Sequence, residues 1–585
     1  MNKEKLKNLI DVAAGRKPAD IVITGAKIID VFSGNVITGD IAVADGYIAG
    51  IGEYSGEKTI DARGYYVSPG FIDSHIHIES SYMTPEEFGR LSVPCGTTTI
   101  IADPHEIVNV CGVEGLKYMC EAAENTALDI RYMVPSCVPS TPFENAGAVL
   151  NAEDIKKIFE DFGDGVLGLA EFMNAVGVVN NDDECINKIM AAREDRRVID
   201  GHSPGLVGKG LNAYMAAGIK TDHECSTIQE MKQRISGGMY VLLRQGSACQ
   251  DLERLASGVD ESNYRRVLLC SDDRQVHTIF TEGHIDGLLR ICVKKGIEPV
   301  NAIRMATLNA AECFNLDDVG SISPGKRANL VFFNNLRDFN VSSVMIDGRM
   351  VAKNHKYLEE VKRVDPSAVA SSVHVKDFSA DRFKLKLKSN KVKVIDVMIG
   401  GVLTGKDINK IELTKDGDFK YNKKVDIVKL AVVERHKGLG NVGVALLGGY
   451  GIKDGACAIS VAHDSHNIIV AGTDDKYMET AVNEIIRMKG GMTLVHKGEV
   501  ISSIPLPIAG LMTDMDAESF DRLLGEAHIL AHKKLKIHDS VEPFMTLCFM
   551  SLPVIPKLKL TDMGLFDVET FSFTSIESGS EEEEA

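Results

Sequence analysis

The rhythm of apolar and polar positions changes four times along this chain. Residues 1 to about 18 place apolar side chains at helical spacing among charges, which predicts a short amphipathic helix. Over residues 19–67 the pattern turns to short β segments broken by turns: ADIVITGAKIID, GDIAVADGYIAGIG and YYVSPG. The same β character returns at 328–333 and 343–351, where Asp347-Gly348 marks a hairpin turn. Two β-rich flanks around a long central stretch predict one small β domain assembled from both sides. Between the flanks, apolar strand candidates lie at 70–75, 98–102, 130–135, 166–171, 197–202, 219–223, 239–244 and 267–271. Helical patterns such as 151–162 and 183–193 separate most of them. Eight strands alternating with helices over roughly 200–250 residues is the arithmetic of a (β/α)8 barrel. A doubly wound sheet also fits the alternation, but it does not gather side chains from so many strand ends at one centre.

After about residue 375 the character shifts again. A Lys-rich segment at 383–393 leads into a second α/β region running to about 560. The fold expected is therefore α/β: residues 1–69 give the N-terminal helix and the first part of a β-sandwich, and 70–320 the barrel. Residues 321–372 complete the sandwich, 373–570 form a C-terminal α/β domain, and 571–585 are an acidic tail. Gly438-Leu439-Gly440-Asn441-Val442-Gly443 is formally a GxGxxG. The VGVALL within and after it reads as strand where a dinucleotide fingerprint requires a helix, so tight glycine turns are expected.

Composition narrows the class. At 585 residues the chain is too long for one core. With 44% hydrophobic and 25% charged residues it has the profile of a soluble globular protein. A net charge of -18 argues against binding nucleic acid through its phosphates. Part of that charge is the glutamate run at 581–584, expected to be a solvated end. Twelve cysteines without a CxxC pair fit a reducing cytoplasm better than a disulfide framework. MNKEKLKNLIDVAAG lacks the apolar core of a signal peptide, and no apolar run is long enough to span a membrane.

The chemistry sits at the expected strand ends. PGFIDSHIH (69–77) reads as an apolar strand ending in two histidines one residue apart. Residues i and i+2 of a strand point the same way, so His75 and His77 converge, and neutral imidazole is the commonest metal ligand. The other strand ends add Asp103, Glu171, His202, His223 and Asp272, and barrel sites form at those ends. This set suits two divalent cations: His75, His77 and Asp272 on one, His202 and His223 on the other, with Glu171 bridging. Two such cations make water a strong nucleophile at neutral pH. Asp272 is placed to take up its proton and pass it to the leaving group. Taken singly, each residue has a plainer reading: a buried histidine as a satisfied core residue, 271–273 as a helix cap. Glu171, ending an apolar strand, requires a partner in any reading. Core histidines have no reason to recur at the carboxyl ends of barrel strands.

HIHIESS (75–81), ADPHEI (102–107), GLAEFMN (168–174), DGHSPG (200–205), TDHE (221–224), SDD (271–273) and HDSHN (463–467) together resemble the adenine deaminases of the amidohydrolase superfamily. The resemblance covers nearly the whole chain outside the acidic tail. Glu171, where other members carry a carboxylated lysine, and the added C-terminal domain narrow it to that group. It implies hydrolysis of adenine to hypoxanthine and ammonia in purine salvage, by attack at C6 of the purine. It also implies a binuclear centre with Mn(II) or Fe(II) more natural than Zn(II).

By the same resemblance Asp272, Glu79 and His105 are catalytic, with Glu79 protonating a ring nitrogen or, alternatively, supporting His77. Ser80, Asp103, His463 and His466 are expected to contact substrate. For the HDSHN segment, a metal-binding pair and a solvated turn stand as alternatives to a loop closing the barrel mouth. The expected partners are adenine and water, with the chain as a homo-oligomer, a dimer being favoured.

Two other functions compete. One is a cyclic-amide hydrolase of the same superfamily, acting on a hydantoin, dihydropyrimidine or dihydroorotate. The other is a non-catalytic scaffold that has lost its metals. The zinc nucleobase deaminases are set aside: His77-Ile78-Glu79 matches their HxE, but Pro94-Cys95 is followed by Gly96-Thr97-Thr98 with no second cysteine.

Overall fold

The computed structural model describes residues 1–398 and 402–578. The glutamate run at 581–584 lies outside the described residues. Eight parallel strands form the centre: β1 (Phe71–Ile76), β2 (Thr97–Ala102), β3 (Asp129–Val134), β4 (Val166–Phe172), β5 (Val198–Gly201), β6 (Thr221–Asp222), β7 (Tyr240–Arg244) and β8 (Val267–Cys270). The first five pair in sequence order, as do the last three. Two contacts close the ring. Lys220 N donates to Ile199 O at 2.9 Å, linking β5 to the β6 side. A parallel bridge between Ile76 and Asp272 joins β1 to the end of β8, with Asp272 N donating to His75 O at 3.0 Å.

The strands read as continuous apolar runs because both of their faces are covered. Ile72, Ile101, Met133, Ala170, Leu242 and Leu268 pack together with Ala310 and Phe314 of the helix Leu308–Phe314. That apolar layer fills the barrel, and the histidines and carboxylates of the site collect at the strand ends. β1 shifts register against β2 between Asp73 and Ile76, just where its polar residues begin. Such irregularities re-aim side chains beside active sites.

The two β-rich flanks meet in one nine-stranded sheet. Tyr66–Pro69, leading into the barrel, pairs parallel with Ala19–Asp30 and antiparallel with Leu330–Phe333, which follows it. The expected hairpin forms between Val341–Ile346 and Arg349–Lys353. Asp347 and Gly348 both take positive φ (50° and 73°), as a two-residue turn matched to strand twist requires. The helix Lys3–Ala13 packs Leu9 and Val12 against this sheet.

The C-terminal domain is built on an eight-stranded sheet covered on one face by the helix Asp475–Met488, through Met478, Ala481, Val482 and Ile485. Gly438 and Gly440 turn the chain at positive φ and lead into the strand Val442–Gly448, with no helix following. Three segments of this domain reach the barrel mouth: Val402, just before the strand Thr404–Lys410, the connection between the strands Gly455–Ile459 and Ile468–Gly472, and residues following the helix Pro543–Cys548. Among the described residues, no helix is long and apolar enough to cross a membrane.

Candidate active site at the barrel mouth

His75 Nδ1 lies 2.7 Å from Asp200 Oδ2, and His77 Nδ1 lies 3.0 Å from the carbonyl of Asp103. Both partners only accept, so each ring carries its proton on Nδ1 and leaves Nε2 bare. The two Nε2 atoms face each other at 3.1 Å. Two bare lone pairs at that distance repel, so either a proton or a metal cation lies between them. Ligand bonds of about 2.1 Å from one cation separate two donors by roughly this much. Asp272 Oδ1 completes the group, 3.3 Å from His77 Nε2 and 3.8 Å from His75 Nε2.

A second group stands opposite. His202 Nδ1 and His223 Nε2 lie 2.8 and 3.3 Å from Glu171 Oε2 and 3.4 Å from each other. The other oxygen of Glu171 turns to the first group, 3.6 Å from His77 Nε2. Glu171 thus turns one oxygen to His77 of the first pair and the other to both imidazoles of the second, the arrangement a bridging ligand needs. All six residues are at most 6% exposed. Four imidazoles and two carboxylates with no thiolate fit a pair of divalent cations.

The electrostatics point the same way. Burial disfavours charge on His77, yet contact with Asp272 and the charge of Glu171 hold its pKa well above the ordinary value. Burial likewise opposes charge on His202, but Glu224 and Glu171 push it up to about 9. Despite burial, the histidines keep Glu171 far below the usual carboxylate range. The carboxylates therefore demand positive charge at this spot, which divalent cations supply.

Several residues that hold the site were not anticipated. Asp200 fixes His75, as described. Arg244, at the end of β7, donates from Nη1 to Asp272 Oδ2 at 3.0 Å and to Glu224, and from Nη2 to Asp251 at 3.1 Å. Glu224 Oε1 lies 3.6 and 3.5 Å from His202 Nδ1 and His223 Nε2. Asp200 and Glu224 sit inside the DGHSPG and TDHE motifs, and Arg244 ends an apolar strand, so reading charged strand ends more broadly would have found all three. Asp272 takes a positive φ of 55°, strained for a residue with a side chain. The neighbouring Ser271 N is held by Asp73 Oδ1 at 3.0 Å. The segment 271–273 is not a helix cap; the next helix, Val276–Glu282, starts later.

The remaining expected residues divide. The barrel wall of the cavity includes His77, His105, Glu106, Glu171, Arg244 and Asp272, and the C-terminal domain supplies Val402, His463, Asp464, Phe549, Leu552 and Ile555. His105 Nδ1 lies 3.1 Å from Asp103 Oδ2 and 3.5 Å from Glu171 Oε1. His463 lies flat on Phe549, with ring centres 4.5 Å apart. Glu79, Ser80, Asp103 and His466 do not line the cavity. Glu79 Oε1 accepts from the Ile107 amide at 3.2 Å, and burial with the charge of Glu106 pushes its pKa up to about 8. Ser80 Oγ lies within hydrogen-bond distance of Glu106 Oε1 (3.0 Å) and Asp273 Oδ1 (2.5 Å), with one proton to share between them. His466 turns its Nε2 toward Glu106 Oε2, 3.9 Å away.

Comparison with known proteins agrees in both halves. The amidohydrolase family model matches residues 66–351, and that of the adenine deaminase C-terminal domain matches 401–572. An adenine deaminase 2 of Desulfotalea psychrophila is 56% identical over 99% of this chain and its own full length. An adenine deaminase of Ligilactobacillus salivarius is 52% identical over 99% of this chain and all of its own length. One of Nitratidesulfovibrio vulgaris is 47% identical over 98% of this chain and 99% of its own. Amidohydrolases of this kind work with a divalent metal, which agrees with the donor set described above. This chain therefore belongs to the adenine deaminase family of the amidohydrolases.

Proposed function

We infer that the barrel mouth is the catalytic centre for hydrolytic deamination of adenine to hypoxanthine and ammonia, a purine-salvage step. The observation that carries this reading is Glu171, one of whose oxygens faces His77 while the other faces His202 and His223. His75, His77 and Asp272 would hold one divalent cation, His202 and His223 the other, with Glu171 between them. When bound, this pair supplies a nucleophilic water at neutral pH and electrophilic polarisation of the substrate. The family resemblance makes Mn(II) or Fe(II) more natural than Zn(II); the donor set, with no thiolate, is compatible with that without choosing the metal.

The chain's own groups then divide the work. Asp272 Oδ1 accepts the proton of the attacking water and delivers it to the departing amino group, while Arg244 fixes Oδ2. Glu79 does not itself reach the cavity, so we assign it as the source of the purine ring-nitrogen proton by way of Glu106, which is on the cavity wall; burial and the charge of Glu106 keep the Glu79 carboxyl protonated. His105, between Glu171 and Asp464, orients both carboxylates. The purine lies between the barrel wall and the face made by His463, Phe549 and Leu552. Asp103 acts from behind that wall through His105, and Ser80 through Glu106 and Asp273. Twelve free cysteines support a reducing, cytoplasmic setting, and we take the assembly to be a dimer. The five-part division at residues 69/70, 320/321, 372/373 and 570/571 remains our reading of the domains.

The cyclic-amide hydrolase and scaffold alternatives are not favoured. The full-length relatives named above are adenine deaminases, and every expected metal ligand is present. The test is turnover of adenine in ¹⁸O-labelled water by metal-reconstituted protein. One labelled oxygen in hypoxanthine and one ammonia per turnover support the reading. Inert adenine, with ring opening of hydantoin or dihydrouracil, contradicts it.

A further inference from the structure

Behind the cavity wall made by Glu106 and His463 lies a histidine that the reaction does not use. His466 is fully buried, and neither of its ring nitrogens has a hydrogen-bond partner among the described residues. A neutral imidazole always carries one donor and one acceptor, so a dry site leaves both unsatisfied. Glu106 Oε2, also buried, is likewise without a partner and lies 3.9 Å from His466 Nε2. On the other side, Glu106 Oε1 lies 3.5 Å from His463 Nδ1. One donor atom from each of the three residues can be chosen so that all lie within 4.8 Å of one another.

We propose that Glu106, His463 and His466 form a separate site for a divalent transition-metal cation, tying the C-terminal domain to the barrel. Ligand bonds of about 2.0–2.2 Å span donor separations of this size with small side-chain adjustments. Two imidazoles and one carboxylate suit Zn(II), Fe(II) or Mn(II) alike. The frame around the site is already fixed. His436 Nε2 donates to the Ser465 carbonyl at 2.6 Å. The buried Arg435 holds the carbonyls of His466, Ser460 and Ala509. Asn467 Oδ1 accepts from the Arg435 amide at 3.2 Å, and His463 is stacked on Phe549. None of the three residues belongs to the set that faces Glu171. A cation here anchors the segment carrying His463 and Asp464, which roofs the cavity.

The test counts metal in the full-length protein. Metal-free protein is reconstituted with excess Mn(II) or, separately, Zn(II), freed of unbound ion, and assayed by mass spectrometry. The expected content is three ions per chain in the wild type and two in His466→Gln. Anomalous diffraction from wild-type crystals should show a peak between Glu106 Oε2 and His466 Nε2, which keeps the test decisive if the variant fails to fold. Two ions per chain with no such peak, the buried atoms being met by water, would overturn the proposal while leaving the catalytic pair intact. Three ions undiminished in His466→Gln would overturn it as well.

Discussion

Asp200 Oδ2 accepts the Nδ1 proton of His75 across 2.7 Å, and both side chains are 1% exposed. The contact ties the end of β5 to the end of β1 and fixes the tautomer that leaves Nε2 free for a cation. The Gly201 amide donates to Asp200 Oδ1 at 2.9 Å, so the carboxylate itself cannot swing away. Partners of this kind raise ligand basicity, and their loss typically weakens metal binding about 10–100-fold. Asp200→Asn should weaken Mn(II) binding by that order, read by competition with a chelator. Unchanged affinity would remove Asp200 from the support of the site.

Arg244 pairs with Asp272, Glu224 and Asp251. Truncating one partner of a buried ion pair leaves uncompensated charge, at a cost of roughly 3–5 kcal/mol. Arg244→Met should therefore melt several degrees below the wild type when metal-free. Added Mn(II) should narrow that gap, because the cations offset the carboxylates that Arg244 no longer neutralises. A gap that Mn(II) leaves unchanged would mean that Arg244 acts through packing alone.

The parts of this protein that were legible in sequence are those set by period and residue type. Eight apolar runs of strand length gave the barrel, and their polar ends gave His75, His77, Glu171, His202, His223 and Asp272. The residues that hold those side chains in place were less legible. Asp200 reaches His75 across the barrel, and Arg244 gathers carboxylates from three places, pairings that no local pattern announces. The roof of the cavity was harder still. HDSHN was visible as a motif, but Val402, Phe549 and Leu552 are ordinary apolar residues that only tertiary packing brings to the barrel mouth. Ser80 and His466 were legible as polar residues in motifs, yet their orientation, toward Glu106 rather than the cavity, is a property of the fold.

Lys559 predicts a pH dependence. Its Nζ donates to the carbonyls of Val402 at 3.0 Å and Phe549 at 2.8 Å, two residues of the cavity wall. Burial pulls its pKa from 10.5 down to about 7. The folded value is thus below the unfolded one, so between the two the unfolded chain binds the extra proton. Stability from this group is complete above pH 10.5 and is lost as pH falls through about 7. The Tm difference between wild type and Lys559→Met should grow in favour of the wild type from pH 7 to pH 10. A flat difference across that range would mean Lys559 stays protonated in the fold.

The most direct test of the site is an ultraviolet assay of adenine conversion by metal-free protein, protein reconstituted with Mn(II) or Fe(II), and Asp272→Asn. The expected result is no conversion without metal, conversion to hypoxanthine on reconstitution, and a fall in kcat of about 10²–10⁴ in Asp272→Asn. Adenine left untouched under every metal condition, with dihydrouracil or hydantoin opened instead, would keep the barrel and its metal ligands but overturn the assignment of substrate and reaction.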